Sequence, residues 1–337
     1  MTDQSGHLLV KTPSGLYCPR ADVYIDPLLP TRRALITHAH SDHARRGSEH
    51  YLTHKIGVPL LRHRLGIGAE QVAGIEYGER VVIGGVSFSF HPAGHVPGSA
   101  QILVEYGGER WVVSGDYKLE DDGVSTAFEP VRCHTFISEC TFGLPIFTWA
   151  PQEEIFSELH TWWRENADNG FSSVVFAYAL GKAQRILAHL DRSLGPVLAH
   201  STVASLCQTL RLDLGDYALL ENDTVIAKQG ALVIAPPSAM GAAWSRRLGE
   251  YRTASASGWM AIRGMQRRRG VDKGFVLSDH ADFTGLNSAI RDTGAERVYL
   301  THGYTEQFSR WLAESCPGID SRELDLGLAV GAEATYE

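Results

Sequence analysis

The sequence predicts a mixed α/β protein built in two parts, a sheet-rich frame interrupted by a segment in which strands and helices alternate. Three observations carry this. The first 145 residues are short apolar runs rich in β-formers and separated by Gly, Pro and Asp. From Pro151 to about residue 270 the pattern changes to helical spacing interleaved with buried strands, the rhythm of a parallel sheet. The chain then returns to strand ends that carry histidine, as in its first half. A length of 337 residues suits about two domains, and 44% hydrophobic residues is ample for their cores.

Taken in order, Ala34–Thr37, Val81–Ile83, Val86–Phe90, Gln101–Glu105, Trp111–Ser114 and Thr135–Ser138 read as strands of the first part. Pro151 suits a first helical turn, and Ile155, Leu159 and Trp162 share a face behind it. Ser173–Ala177, Pro196–Ala199 and Ala231–Ile234 read as buried strands. Between the first two, Lys182–Leu194 reads as a helix turning Ile186, Leu187, Leu190 and Leu194 inward. A further helix is expected with Ser201 or Thr202 as its N-cap and Val203, Leu206 and Leu210 facing in. Gly274–Ser278 then leads to His280, and Arg297–Thr301 to His302.

Composition narrows the class. The N-terminal stretch Met1–Gly15 lacks the apolar run of a leader, and no stretch approaches the ~18 apolar residues of a membrane span, so a cytoplasmic protein is expected. Cys18, Cys133, Cys140, Cys207 and Cys316 are odd in number and widely spaced, and read as reduced thiols. A net charge of −8 argues against a protein that grips DNA with its whole surface, while leaving room for a local basic groove.

The chemistry is concentrated in Thr37-His-Ala-His-Ser-Asp-His43, three imidazoles and a carboxylate within six residues after an apolar strand. Burying that density without a cation is costly. Alternation puts His38 and His40 on one side of an extended segment, while Asp42 and His43 can turn toward a neighbouring ion. Nitrogen and carboxylate donors without cysteine suit Zn, Mn or Fe. His95, in the loop after Phe90, and Asp116, after Trp111–Gly115, occupy similar strand-end positions.

This set, HxHxDH followed by a later His and a later Asp, resembles the metallo-β-lactamase superfamily. The resemblance implies that His38, His40 and His95 hold one divalent ion, Asp42 and His43 a second, and that Asp116 bridges them. Asp26 resembles the family's early aspartate, which supports the ligand loop. Two ions, Zn or Mn, would lower the pKa of a bridging water toward ~7 and clamp both reacting oxygens of a phosphodiester.

The rest of the chain is similar to the β-CASP branch, which processes nucleic acids. Ser138–Gly143 resembles its acidic motif with Glu139, Leu277–Asp282 the next with His280, and Tyr299–Tyr304 the last with His302, although Phe142 stands where tyrosine is more usual. Gly181-Lys-Ala-Gln-Arg185 resembles the Gly-x-x-Gln segment of the branch's inserted domain. The implied fold is a metallo-β-lactamase αββα sandwich over 1–146 and 271–337 with a β-CASP α/β domain inserted at 147–270. His302 would complete the second metal. The catalytic residues would be Asp42, Glu139 and His280, with His280 oriented by Glu139 and giving a proton to the leaving oxygen.

Within the branch, the wording of Ala179–Arg185, Ser257–Met260, Arg267–Phe275 and Ser278–Asp282 is most similar to bacterial DNA-ligase-associated exonucleases. That implies a zinc- or manganese-dependent hydrolase in DNA repair, acting on single-stranded DNA or DNA with a free end, beside an ATP-dependent ligase. Arg263, Arg267, Arg268 and Arg269 are the candidate phosphate contacts, and Trp259 a residue that either stacks on a base or packs a core. The alternatives are an RNA-processing endonuclease resembling the mRNA 3′-end cleavage factors, a metal-bearing binding protein, and a hydrolase of small esters or thioesters.

Overall fold

The computed structural model describes residues 7–220 and 230–326. Met1–Gly6 of the N-terminal stretch considered above, and 327–337 of the last predicted domain range, lie outside the described residues. The contacts divide the chain into two compact units: one runs to Ile146 and resumes at His280, and the other is Phe147–Asp279.

In the first unit, β1 (Val10–Thr12), β2 (Gly15–Cys18), β3 (Val23–Ile25), β4 (Arg33–Leu35), β5 (His50–His54) and β6 (Val72–Ile75) form one sheet in sequence order. Its β3 to β6 are parallel. Helix α1 (Gly57–Leu65) crosses from β5 to β6 and buries Leu60, Leu61 and Leu65.

The second sheet is built from β7 (Arg80–Ile83), β8 (Val86–Pro92), β9 (Ala100–Tyr106), β10 (Glu109–Val113) and β11 (Thr135–Cys140). After the other unit, β18 (Arg297–Gly303) and β19 (Asp320–Glu323) complete it in the order β19-β18-β11-β10-β9-β8-β7. Its inner members β10, β11 and β18 are parallel.

Period-two alternation decides the layers. Ile102, Val104, Trp111, Val113 and Ile137 join Leu16, Val23, Ile25 and Leu35 of the first sheet in one core. The intervening Leu103, Val112 and Phe136, with Val298 and Leu300, form a second core. That core is shared with helices α6 (Phe283–Thr293) and α7 (Thr305–Ser315), through Leu286, Ile290, Phe308 and Leu312.

The second unit is a parallel α/β sheet, as the alternating pattern predicts. Strands β12 (Ser172–Phe176), β13 (Val197–Ala199), β14 (Ala218–Leu219), β15 (Leu232–Ala235), β16 (Tyr251–Ala256) and β17 (Lys273–Phe275) lie in the order β14-β13-β15-β12-β16-β17. Every pairing is parallel. Because β17 pairs with β16, this unit extends to Asp279, past the residue 270 expected from sequence. Helix α2 (Gln152–Asp168) buries Ile155, Phe156, Leu159 and Trp163, and Trp162 is half-exposed. Trp163 takes the inward place because its indole N–H reaches the Gly230 carbonyl at 2.9 Å.

Helix α3 (Lys182–Ala188) is shorter than its sequence pattern. Asp191 caps a separate turn by accepting from the Ser193 amide at 3.0 Å, which ends the continuous helix. The predicted N-cap of α4 (Ser201–Leu210) also moves, to His200, whose Nδ1 accepts from the Thr202 amide at 3.2 Å. Helix α5 (Met265–Arg269) completes the set.

A second histidine lies off the motifs. His54 is 1% exposed, its ring is stacked on Tyr77 at 3.5 Å, and neither ring nitrogen has a hydrogen-bond partner. Burial pushes its pKa down to about 4. The unfolded chain therefore binds the extra proton between about pH 6.5 and 4, and stability falls as pH drops through that window. His54→Phe keeps the stack and removes the titration. Equilibrium unfolding should show the wild type losing stability relative to this variant over that window, by at most about 3 kcal/mol. Parallel pH profiles would mean that His54 does not carry the effect.

Candidate metal centre

Parallel strands bring the candidate ligands to one edge of the first unit. Val113 pairs with Ile137 and Ile137 with Tyr299, so β10, β11 and β18 end together. Asp116 follows the first of these, Glu139 sits near the end of the second, and His302 near the end of the third. The loop after β8 carries His95, and His280 precedes α6. From the other sheet, β4 leads into His38–His43, tied across by the Ala100 amide donating to the Thr37 carbonyl at 2.8 Å.

Asp116 is the meeting point. Its Oδ2 lies 3.4 Å from His38 Nε2, 3.3 Å from His43 Nε2 and 3.8 Å from His95 Nε2. His40 Nδ1 and His95 Nε2 are 3.0 Å apart. Donor atoms of His38, His40, His95 and Asp116 lie within 4.8 Å of one another, as do those of Asp42, His43 and Asp116, and of Asp116, Glu139 and His280. His302 falls in none of these groups, although its ring stacks on His43 at 5.2 Å.

These residues fit a divalent cation. His38 Nε2, His43 Nε2, His302 Nε2 and Asp116 Oδ1 are buried without a hydrogen-bond partner, which is costly unless another ligand takes them up. A cavity of about 30 Å³, lined in part by Asp26, Asp42, His43 and His302, has room for a water or an ion.

Burial, reinforced by the neighbouring His43, holds His38 well below the usual histidine range and also lowers His302. Both are therefore neutral, the form that ligates. Burial opposes charge on His43 as well, but Asp116, Asp42 and Asp26 outweigh it and raise its pKa well above normal. Asp116 is held well below the carboxylate range because the imidazoles of His43, His280 and His38 overcome its own burial.

Asp26 holds the Thr37–His43 loop in place. Its carboxylate accepts from the Thr37 amide at 2.8 Å, the Thr37 hydroxyl at 2.5 Å and His43 Nδ1 at 2.7 Å. A carboxylate can only accept, so His43 carries a proton on Nδ1 and aims Nε2 at Asp116. Asp26 adopts a positive φ of 44°, a strain these three bonds offset.

Glu139 is 1% exposed and accepts from the Tyr117 amide at 2.9 Å and the Thr141 amide at 3.3 Å. Its two oxygens also lie 2.9 and 3.1 Å from His280 Nδ1. The carboxylate oxygens accept, so His280 carries a proton on Nδ1, which leaves Nε2 on the far side of the ring.

His302 owes its direction to a β-bulge. The β11–β18 register runs Glu139 to Thr301 and then Cys140 to Gly303, skipping His302. His302 takes a φ of 54°, unusual for a side chain other than glycine, and its carbonyl accepts from the Cys140 thiol at 3.1 Å. Gly303 allows the close approach: a Cβ there would sit 2.2 Å from the Cys140 carbonyl oxygen. The Tyr117-Lys118 dipeptide ties three neighbouring loops together. The Tyr117 carbonyl accepts from Ala281 at 2.7 Å and the Lys118 amide donates to Ala93 at 3.0 Å, with Gly94 leaving room for the Lys118 carbonyl.

Cys140, Thr37, Tyr117 and Lys118 are not metal-ligand types at telling spacings, so sequence reasoning passes over them. The one signal is the glycine beside a ligand, as in Gly94-His95, Gly115-Asp116 and His302-Gly303. The predicted arginines belong to the second unit, where Arg263 precedes α5 and Arg267, Arg268 and Arg269 lie on it, the last half-exposed. Trp259 is buried there, edge-on to Phe147 at 5.8 Å. No described helix is long and apolar enough to cross a membrane.

Gly303→Ala should cost about 2 kcal/mol or more of stability and weaken divalent-metal binding, because the bulge that aims His302 cannot close around a Cβ. Titration calorimetry with Mn²⁺ beside Gly318→Ala, whose Cβ meets nothing within 4 Å, makes the check. Equal affinities for the two variants would show that the bulge does not shape the centre.

No protein-family model matches the chain. Over 332 residues it is 32% identical to a protein named probable DNA ligase from Opitutus terrae, covering 95% of this chain and 32% of that one. It is 34% identical over 119 residues to Endoribonuclease YSH1 of Yarrowia lipolytica, covering 35% of this chain and 14% of the relative. The chain thus spans about a third or less of the length of these relatives. A crystal structure of a protein of unknown function from Enterococcus faecalis superposes with a TM-score of 0.60 at 13% identity, covering 88% of this chain and 80% of that one, and shows a shared fold. With the HxHxDH cluster, the later motifs and these relatives in agreement, the chain belongs to the β-CASP branch of the metallo-β-lactamase superfamily.

Proposed function

We propose that this chain is a divalent-metal-dependent nuclease that hydrolyses DNA phosphodiesters from a free end, in DNA repair beside an ATP-dependent ligase. On this reading the first unit is the αββα sandwich of the superfamily and the second is the inserted β-CASP domain. The observation that carries the proposal is the convergence of four imidazoles and the Asp42 carboxylate around Asp116, with the Glu139–His280 pair beside them. The ligase-named relative, aligned along 95% of the chain, favours DNA over the RNA of the endoribonuclease.

His38, His40, His95 and Asp116 would hold one ion, and Asp42, His43, Asp116 and His302 a second, either zinc or manganese. Two such ions, when bound, supply charge stabilisation for the phosphate and hydroxide at neutral pH. The chain's own residues do the rest. Asp26 and Thr37 fix the ring of His43, and the bulge at Cys140 turns His302 inward. Glu139 holds the Nδ1–H of His280, so a second proton taken up at Nε2 is the one the imidazolium gives to the departing oxygen. Asp42 is only half-buried and so can meet substrate as well as metal.

Digestion of matched end-labelled single-stranded DNA and RNA with added Mn²⁺ or Zn²⁺ tests this reading. Stepwise shortening of DNA is expected, abolished by Asp116→Ala and reduced about 10² to 10⁴-fold by His280→Ala without loss of bound metal. Internal cuts in RNA alone would transfer the chain to the endoribonuclease reading. Metal-loaded protein that cuts neither would sink the nuclease proposal.

A further inference from the structure

Between Thr31 and Leu65 the chain runs against its own average. That stretch holds seven Lys and Arg against two carboxylates, Asp42 and Glu49, an excess of five positive charges in a chain of net charge −8. The structure gathers part of it into one row. Arg45, two residues beyond His43, donates to the Leu28 carbonyl at 3.4 Å, and Leu28 lines the same cavity as Asp42 and His43. Arg46 reaches the end of α1, where its Nη2 donates to the Arg64 carbonyl at 3.2 Å. Arg62 and His63 lie exposed in that last helical turn.

Two features separate this row from ordinary surface arginines. Lys55 pairs with Glu76 and Arg32 lies 3.9 Å from Asp22, whereas no described carboxylate is within ion-pairing distance of Arg45, Arg46 or Arg62. Helix capping does not account for the row either. A helix C-terminus presents only about half a negative charge, so three guanidinium groups leave a surplus of more than two.

We propose that this row is a binding track for the phosphate backbone of a nucleic-acid single strand beside the metal centre, a proposal that rests on the nuclease reading above. Guanidinium groups match phosphate oxygens in geometry and stay charged at every working pH. A polyanion whose charges repeat along a strand fits Arg45, Arg46 and Arg62, none ion-paired to a described carboxylate, in a row that begins at the wall of the cavity.

Fluorescence anisotropy of a labelled single-stranded DNA, titrated over a range of salt in the Asp116→Ala background, reads the track directly. Arg46→Gln/Arg62→Gln should weaken binding tenfold or more and reduce the slope of log affinity against log salt by about 1.4, at about 0.7 per lost phosphate contact. Arg46→Lys/Arg62→Lys should keep the slope. Arg80→Gln/Arg310→Gln, which removes the same charge from arginines paired with Glu105 and Glu314, should leave affinity and slope unchanged. Unchanged binding by the first variant, a loss of affinity without a change of slope, or an equal loss in the paired-arginine control would each overturn the proposal. Because Asp116→Ala leaves the probe uncut, this result stands apart from the cleavage assay. A wild type that cuts neither DNA nor RNA removes the nuclease reading, and the salt slope still reports whether the row binds polyanions.

Discussion

The burial of Asp116 among imidazoles is the constraint around which the first unit is arranged. An ionised carboxylate that is 3% exposed costs several kcal/mol unless charge or hydrogen-bond donors surround it. Here the surroundings come from His38, His43 and His95, delivered by strands of two different sheets. Loop backbones must approach closely for this to happen, and glycines next to the ligands make it possible. A Cβ at Gly115 would meet the Thr37 side chain at 2.7 Å, and one at Gly94 the Lys118 carbonyl at 2.1 Å. Substitution at either site would push apart loops that carry ligands on opposite sides of Asp116.

The same environment sorts the histidines by charge. His38 and His302 face burial and cationic neighbours and remain neutral, while His43 sits against three carboxylates and holds its proton. Metal ions bound to this set would replace the proton's role for His43 and take up the orphaned nitrogens of all three. Glu139 and His280 make a separate pair, held by backbone amides from Tyr117 and Thr141. Tyr117 follows Asp116 directly, so this pair and the candidate ligand set share one loop.

The relatives' names point to different nucleic acids. One is named a DNA ligase and another an endoribonuclease, and the chain aligns with about a third or less of each. On the proposed reading, a centre of imidazoles and carboxylates would address a phosphodiester, which DNA and RNA share. Discrimination between them would depend on contacts to sugar and base.

Much of this protein was legible in the sequence, because metal-ligand residues at short spacing and period-two apolar runs are local signals. The six residues from His38 to His43, the parallel α/β rhythm after Pro151, and the strand ends before Asp116, His280 and His302 all follow from neighbours in the chain. What depended on distant partners was not legible. Trp163 faces inward in place of Trp162 because of a carbonyl at Gly230, and α3 stops early because Asp191 caps a new turn. The bulge that turns His302 depends on Cys140, which lies 162 residues away in the chain. The sequence by itself determined which donors exist and which strand ends carry them, since residue type and alternation are properties of adjacent residues. Only the tertiary structure set the distances at which His38, His43 and His95 meet Asp116, because hydrogen-bond register and the close approach of glycine backbones are set between strands, not along them.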